Sequence, residues 1–177
     1  MKLLRLGLPA LLLVAGGAGW LYLHRLEESY RDQGENYSLI EERLYVGGDV
    51  KKPPHGTGAV LNLCRKKDPY RCAVHVWEPI RDTAPGPTLD WLRAKVEWID
   101  AQRRAGVTVY VHCRNGVSRS GLLVTAYIMH EKDLSRDEAL ALVRRKRPGL
   151  RPHSAFRMRL LEWECVLKAR AVFGDSQ

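Results

Sequence analysis

Fifteen residues near the middle of the chain, 107–121, constrain it more than any other stretch. Val107, Val109 and Val111 alternate with Thr108, Tyr110 and His112, the period of two that a strand requires. Cys113 follows at once, five residues separate it from Arg119, and Gly121 to Met129 is apolar on every side, as a central buried helix would be. A loop between a strand end and a helix start can turn its backbone N–H groups inward. That makes an anion cradle at the positive end of the helix. Gly116 lets such a loop bend without a Cβ clash. A thiol in that field loses its proton readily and is a thiolate at neutral pH. Arg119 can hold two oxygens of a phosphate at once, a geometry Lys cannot match.

The flanking sequence reads as an α/β domain. Leu39-Ile40 and Leu44-Tyr45-Val46 form short strands around a charged turn, and Ala59 to Cys64 is the apolar run of a buried strand. Val74 to Trp77 is a further strand, and it enters a loop, 78–87, in which three prolines exclude regular structure. A helix starts near Leu89, with Leu92, Val96 and Ile99 on one face and Gly106 placed to end it. Ser135 and Glu138 form a capping box, with Leu134 and Ala139 as its hydrophobic staple. A last helix carries Phe156, Leu160, Trp163 and Leu167 on one stripe. Strands are expected to alternate with helices, with most helices in the C-terminal half.

With 177 residues there is room for one such domain and a short extension. Residues 6–23 are uncharged and mostly apolar, and as a helix they would span roughly 27 Å, about the thickness of a bilayer core. Trp20 and Tyr22 sit where rings favour the membrane interface. Residues 1–25 are therefore expected to be a membrane-spanning anchor. The competing reading is a signal peptide cleaved after Ala18, which would send the domain out of the cell or into the periplasm. Lys2 and Arg5 balance Arg25 and Arg31, so charge does not orient the span. A reducing, cytoplasmic side suits an exposed thiolate better. Residues 26–37 read as a juxtamembrane linker, and 38–172 as the folded domain.

His112-Cys113-x5-Arg119-Ser120 resembles the signature of the cysteine-dependent protein tyrosine phosphatases, and HCxxGxSRSG is similar to their dual-specificity branch. The likeness extends over about residues 38–170, including the Ser135 helix and the Arg147-Pro148 turn. It implies a central twisted sheet flanked by helices and a phosphomonoesterase that uses neither metal nor cofactor. Cys113 would be the nucleophile, and Arg114, Asn115, Gly116, Val117, Ser118 and Arg119 would bind the phosphate. The family also carries a general acid on an upstream loop. Asp82, in the Pro/Gly-rich loop, stands in the matching place. Asp90 reads better as a first-turn helix carboxylate, and Glu78 lies out of register. Ser120 would stabilise the departing thiolate, and His112 would be a buried histidine bonding backbone near the cysteine. Cys64, Cys72 and Cys165 contain no CxxC spacing and read as ordinary core or surface cysteines.

Net charge is +9, and Arg144 to Arg147, Arg151, Arg157 and Arg159 put seven cations into 16 residues without an acid. One reading is a solvated face whose cations suit a helix C-terminus. The other is attraction to acidic lipid or acidic peptide. No nucleic-acid module accompanies the charge, so nucleic acid is not an expected partner. Oligomeric state has no signal in the sequence. Three functions compete: a protein phosphatase acting on phosphotyrosine and phosphoserine or phosphothreonine, a phospholipid phosphatase, and an inactive phosphate-binding module. Pro87-Thr88-Leu89-Asp90 and Arg114 resemble the phosphatidylglycerophosphate branch, which however tends to carry a base where this chain has Val117. An inactive module would lack the cysteine, the arginine or the acid, and all three are present.

Overall fold

The computed structural model describes residues 35–173. The expected anchor at residues 6–23 lies outside them. Among the described residues, no helix is long and apolar enough to cross a membrane.

Five strands form one sheet: β1 (Tyr37–Glu41), β2 (Leu44–Gly47), β3 (Thr57–Asn62), β4 (Val74–Trp77) and β5 (Thr108–His112). Their order is β1-β2-β5-β3-β4. β1 and β2 pair antiparallel through the tight turn foreseen at Glu42-Arg43, and the other pairs are parallel. Among the described residues, four helices accompany the sheet: α1 (Leu89–Arg104), α2 (Arg119–Lys132), α3 (Arg136–Lys146) and α4 (Ser154–Phe173). The class is mixed α/β with helices packed on a central sheet, as expected. The expected alternation does not hold. Among the described residues, four strands precede the first helix, because the β2–β3 and β3–β4 crossovers run as loops. Asn36 and Tyr37 belong to this unit and not to a linker: the Asn36 carbonyl accepts from Gly48 N, and Tyr37 pairs with Gly47.

Residue alternation sorts the sheet into two faces. Leu44, Val46, Ala59, Leu61, Val109 and Val111 enter one core with residues of all four helices, among them Leu92, Val96, Ile99, Ala139, Val143, Phe156, Leu160 and Trp163. On β5 the alternate residues, Tyr110 and His112, stack with ring centroids 5.0 Å apart, and Tyr37 packs edge-on against Tyr110. α2 is buried from Ser120 to Met129 and packs against α1, α3 and α4. Its environment on every side is protein, which explains a helix with no polar face. α3 begins with the foreseen capping box, Ser135 accepting from Glu138 N while the Glu138 carboxylate accepts from Ser135 N.

Candidate active site

β5 lies inside the sheet, between β2 and β3, and delivers Cys113 at its C-terminal end. The peptide carbonyls that follow can be accounted for one by one. Arg114 O accepts from Asp49 N at 2.9 Å, and Asn115 O from Arg147 Nη2 at 3.2 Å. Gly116 O accepts from Arg147 Nε at 2.7 Å, and Val117 O from Arg151 N at 3.0 Å. Each of these carbonyls is engaged by a residue outside the loop, and the N–H of a trans peptide points opposite to its C=O. The amides of 115–118 therefore face the interior of the loop. Gly116 adopts φ +69°, and a Cβ there would overlap the Gly47 carbonyl and Arg147 Nη2. Only glycine fits.

Inside that ring sits the Cys113 thiol, on a residue only 2% exposed. Burial alone would raise its pKa. The Ser120 hydroxyl at 3.3 Å, the Ser120 and Val117 amides and the Arg119 charge outweigh burial and hold it below the usual thiol range. The reading of an exposed thiolate is thus corrected: Cys113 is buried. Arg119 is fixed by two carbonyls, Leu63 O at 3.2 Å and Ile80 O at 3.5 Å. Its buried Nε has no hydrogen-bond partner among the described residues. A buried guanidinium donor left open beside a ring of inward amides fits a phosphate oxygen.

Asp82 is brought to the same place. Ser118 Oγ donates to Asp82 Oδ1 at 2.5 Å, and Asp82 Oδ2 lies 3.7 Å from Arg119 Nε. Ser118 stands at the N-cap position of α2 but makes no side-chain cap. Its hydroxyl instead links the Asp82 loop and the α3–α4 segment, since it also accepts from His153 N at 2.9 Å. The rivals lie elsewhere. Glu78 is bound to α1 through Trp91 Nε1 and Lys95, and Asp90 is exposed in the first turn of α1.

Two residues of the site differ from the sequence reading. Among the described residues, the His112 side chain bonds no backbone group. Its Nε2 meets the Asp68 carboxylate at 3.1 Å, and Nδ1 lies 3.9 Å from Cys64 Sγ. Asp68 also meets His75 Nε2 at 3.0 Å, and its side chain is 1% exposed. Burial opposes its ionisation, yet the hydrogen bonds and charge from His112, with further bonds from His75 and Asn62, hold its pKa below the usual value. No periodicity marks Asp68, which arrives on an irregular loop. Arg147 is not part of a solvated face. It is 4% exposed, with Nη2 donating to Asn36 Oδ1 at 2.6 Å as well as to the loop. Ala139, Val143 and Arg147 recur every four residues, so the buried stripe of α3 carried a signal for it.

The family model for the dual specificity phosphatase catalytic domain matches residues 49–166. The chain belongs to that family. Among curated relatives, human dual specificity protein phosphatase 16 is 36% identical over 117 residues, covering 64% of this chain and 18% of that protein. The Caenorhabditis elegans tyrosine-protein phosphatase vhp-1 is 28% identical over 158 residues, covering 81% of this chain and 23% of that one. The chain thus spans about a fifth of the length of the curated relatives it matches. Among solved structures, human DUSP28 aligns with a TM-score of 0.66 and 25% identity, covering 76% of this chain and 96% of that chain. PTPMT1 in complex with PI(5)P aligns with a TM-score of 0.69 and 22% identity, covering 77% and 99%, a likeness of fold.

Proposed function

We propose that the chain hydrolyses phosphate monoesters on proteins, phosphotyrosine and phosphoserine or phosphothreonine alike, through a cysteinyl-phosphate at Cys113. The observation that carries this reading is the Cys113 thiol, held acidic inside a ring of outward-bonded carbonyls. The thiolate attacks phosphorus in line, so the S–P bond forms as the P–O ester bond breaks. The inward amides and Arg119 hold the other three oxygens where charge accumulates. Asp82, in its acid form, gives its proton to the leaving oxygen. The resulting carboxylate then takes a proton from water. The new O–P bond forms as S–P breaks, and Ser120 donates to the departing sulfur. Activity on phosphotyrosine and phosphothreonine peptides that survives a chelator and is lost to vanadate tests this scheme. A chelator-sensitive activity would reject it.

A second reading, dephosphorylation of a phospholipid headgroup, is favoured by the 18-residue apolar run at 6–23. As an anchor, with residues 1–25 in the bilayer and the catalytic domain on the cytoplasmic side, it would hold the site at a lipid surface. Full-length protein should then resist carbonate extraction. A mature N-terminus at Gly19 would point to a cleaved signal instead.

A further inference from the structure

The segment between α3 and α4 supplies a residue that the chemistry above does not use. Arg151 donates its backbone N–H to Val117 O at 3.0 Å, so its Cα is fixed one hydrogen bond from the phosphate loop. The residues beside it are anchored too: Leu150 and Pro152 are buried, and His153 N reaches Ser118 Oγ. Between these two buried residues Arg151 is turned outward. It is exposed, and its side chain makes no hydrogen bond or ion pair among the described residues.

The surroundings share its sign. Arg114, next to Cys113, and Arg81, next to Asp82, are likewise exposed and without side-chain partners among the described residues. Two carboxylates beside the loop are already engaged. Asp82 is held by Ser118 and faces Arg119, and Asp49, whose N–H meets Arg114 O, is paired with Lys66 at 3.3 Å. Arg157 adds a cation in the first turn of α4, which has no acidic residue there. That is the end of a helix where a positive charge is unfavourable. Uncompensated charge at the mouth of a site raises the local concentration of anions and favours ligands with complementary charge.

We infer that Arg151 is a specificity-determining residue. It selects protein substrates in which the phosphorylated residue is flanked by further negative charge, either acidic side chains or a second phosphate. The inference rests on the protein-phosphatase reading and names the substrate class within it. Any residue but proline keeps the backbone bond to Val117, so the side chain can be varied without unlocking the loop.

The test compares kcat/KM of full-length protein on phosphotyrosine peptides of equal length. Their flanks are neutral, acidic, or neutral with one phosphothreonine, and vesicles carrying a phosphoinositide form a fourth arm. The readout is the ratio of charged to neutral peptide, which a general loss of activity does not move. Wild type should favour the charged peptides by about three- to tenfold, with the two charged arms telling which source of charge is preferred. The ratio should shrink at high salt. Arg151→Ala should bring it close to one, Arg151→Lys should retain part of it, and Arg151→Glu should invert it. Equal ratios in wild type and Arg151→Ala would overturn the inference while leaving a protein phosphatase. Turnover of the vesicle lipid with none of the peptides would overturn the protein-phosphatase reading as well.

Discussion

The loop of residues 113–118 and the loop of residues 80–87 meet at Ser118 and Asp82, but they are held in unlike ways. In the first, each carbonyl from 114 to 117 is bonded, and Cys113, Gly116 and Ser118 are buried. In the second, residues 81–85 are exposed, and the Asp82 side chain is 41% exposed. Its ties to the site are polar: the Ser118 hydroxyl, the Arg119 guanidinium and the Ile80 carbonyl. Catalytic geometry that must match a transition state is preorganised in advance. A group that approaches and withdraws is carried on backbone with few buried contacts. The cradle and Cys113, the proposed nucleophile, are therefore packed as a fixed part, whereas Asp82, the proposed proton donor, sits on a loop held by few buried contacts.

The largest expected effect falls on the fixed part. Cys113→Ser should lower turnover on the order of 10³-fold or more, because a hydroxyl there is not ionised, while retaining the fold and phosphate binding. Stopped assays beside phosphate titration by calorimetry measure both. Retention of more than a few per cent of activity would remove Cys113 as the nucleophile.

The loosely held part should show its role through the leaving group. Asp82→Asn should slow alkyl phosphates by about 10²–10⁴-fold, and an activated aryl phosphate visibly less, since a good phenolate needs no proton. The basic limb of its pH–rate profile should flatten while the acidic limb persists. Asp90→Asn and Glu78→Gln should show neither change. If Asp90→Asn behaves this way and Asp82→Asn does not, the acid has been misplaced.

Two glycines with similar backbone angles give a direct contrast of packing. Gly116 and Gly86 have φ +69° and +78°. Both pay about 1–2 kcal/mol for a left-handed Cβ. At Gly116 the new atom also overlaps buried backbone, whereas at Gly86 it meets the Phe156 ring at 3.1 Å. Urea unfolding should find Gly116→Ala destabilised by at least about 3 kcal/mol and Gly86→Ala by about 1–2 kcal/mol. Equal losses would contradict the distinction between a packed and a loosely held loop.

The smallest effect is on titration. Ser120→Ala removes a hydrogen bond that favours the Cys113 thiolate, so the thiol pKa rises. The acidic limb of kcat/KM should move to higher pH, with thiolate absorbance following it. An unmoved limb would mean that the loop amides and Arg119 suffice without the hydroxyl.

What could be read from the sequence was local. The alternation at 107–112, the spacing from Cys113 to Arg119 and the all-apolar run after Gly121 each express one physical requirement within a few residues. They led directly to the strand, the cradle and the buried helix. The Ser135 capping box was legible for the same reason. Contacts that depend on the sheet order were not. Asp68 reaches His112 from a loop with no periodic pattern, although the two residues stand 44 positions apart. Charge alone did not set Arg147 apart from Arg144, Arg145 and Lys146, all exposed; only its place on the stripe of Ala139 and Val143 did. The helix-free crossovers before β3 and β4 also carried no signal strong enough to displace the expected alternation.

The depth of the sulfur has a practical consequence for labelling. Among the four cysteines, Cys165 is exposed and Cys72 half-buried, whereas Cys64 and Cys113 are buried. Reactivity and reach are thus separated on different residues. A bulky neutral maleimide should mark Cys165 first, despite the lowered pKa of Cys113. A small anionic alkylator such as iodoacetate is drawn into the cradle by the groups that bind phosphate, and should choose Cys113. Used in sequence, the two reagents can put a reporter on the exposed Cys165 of α4 and then occupy the thiol of the cradle.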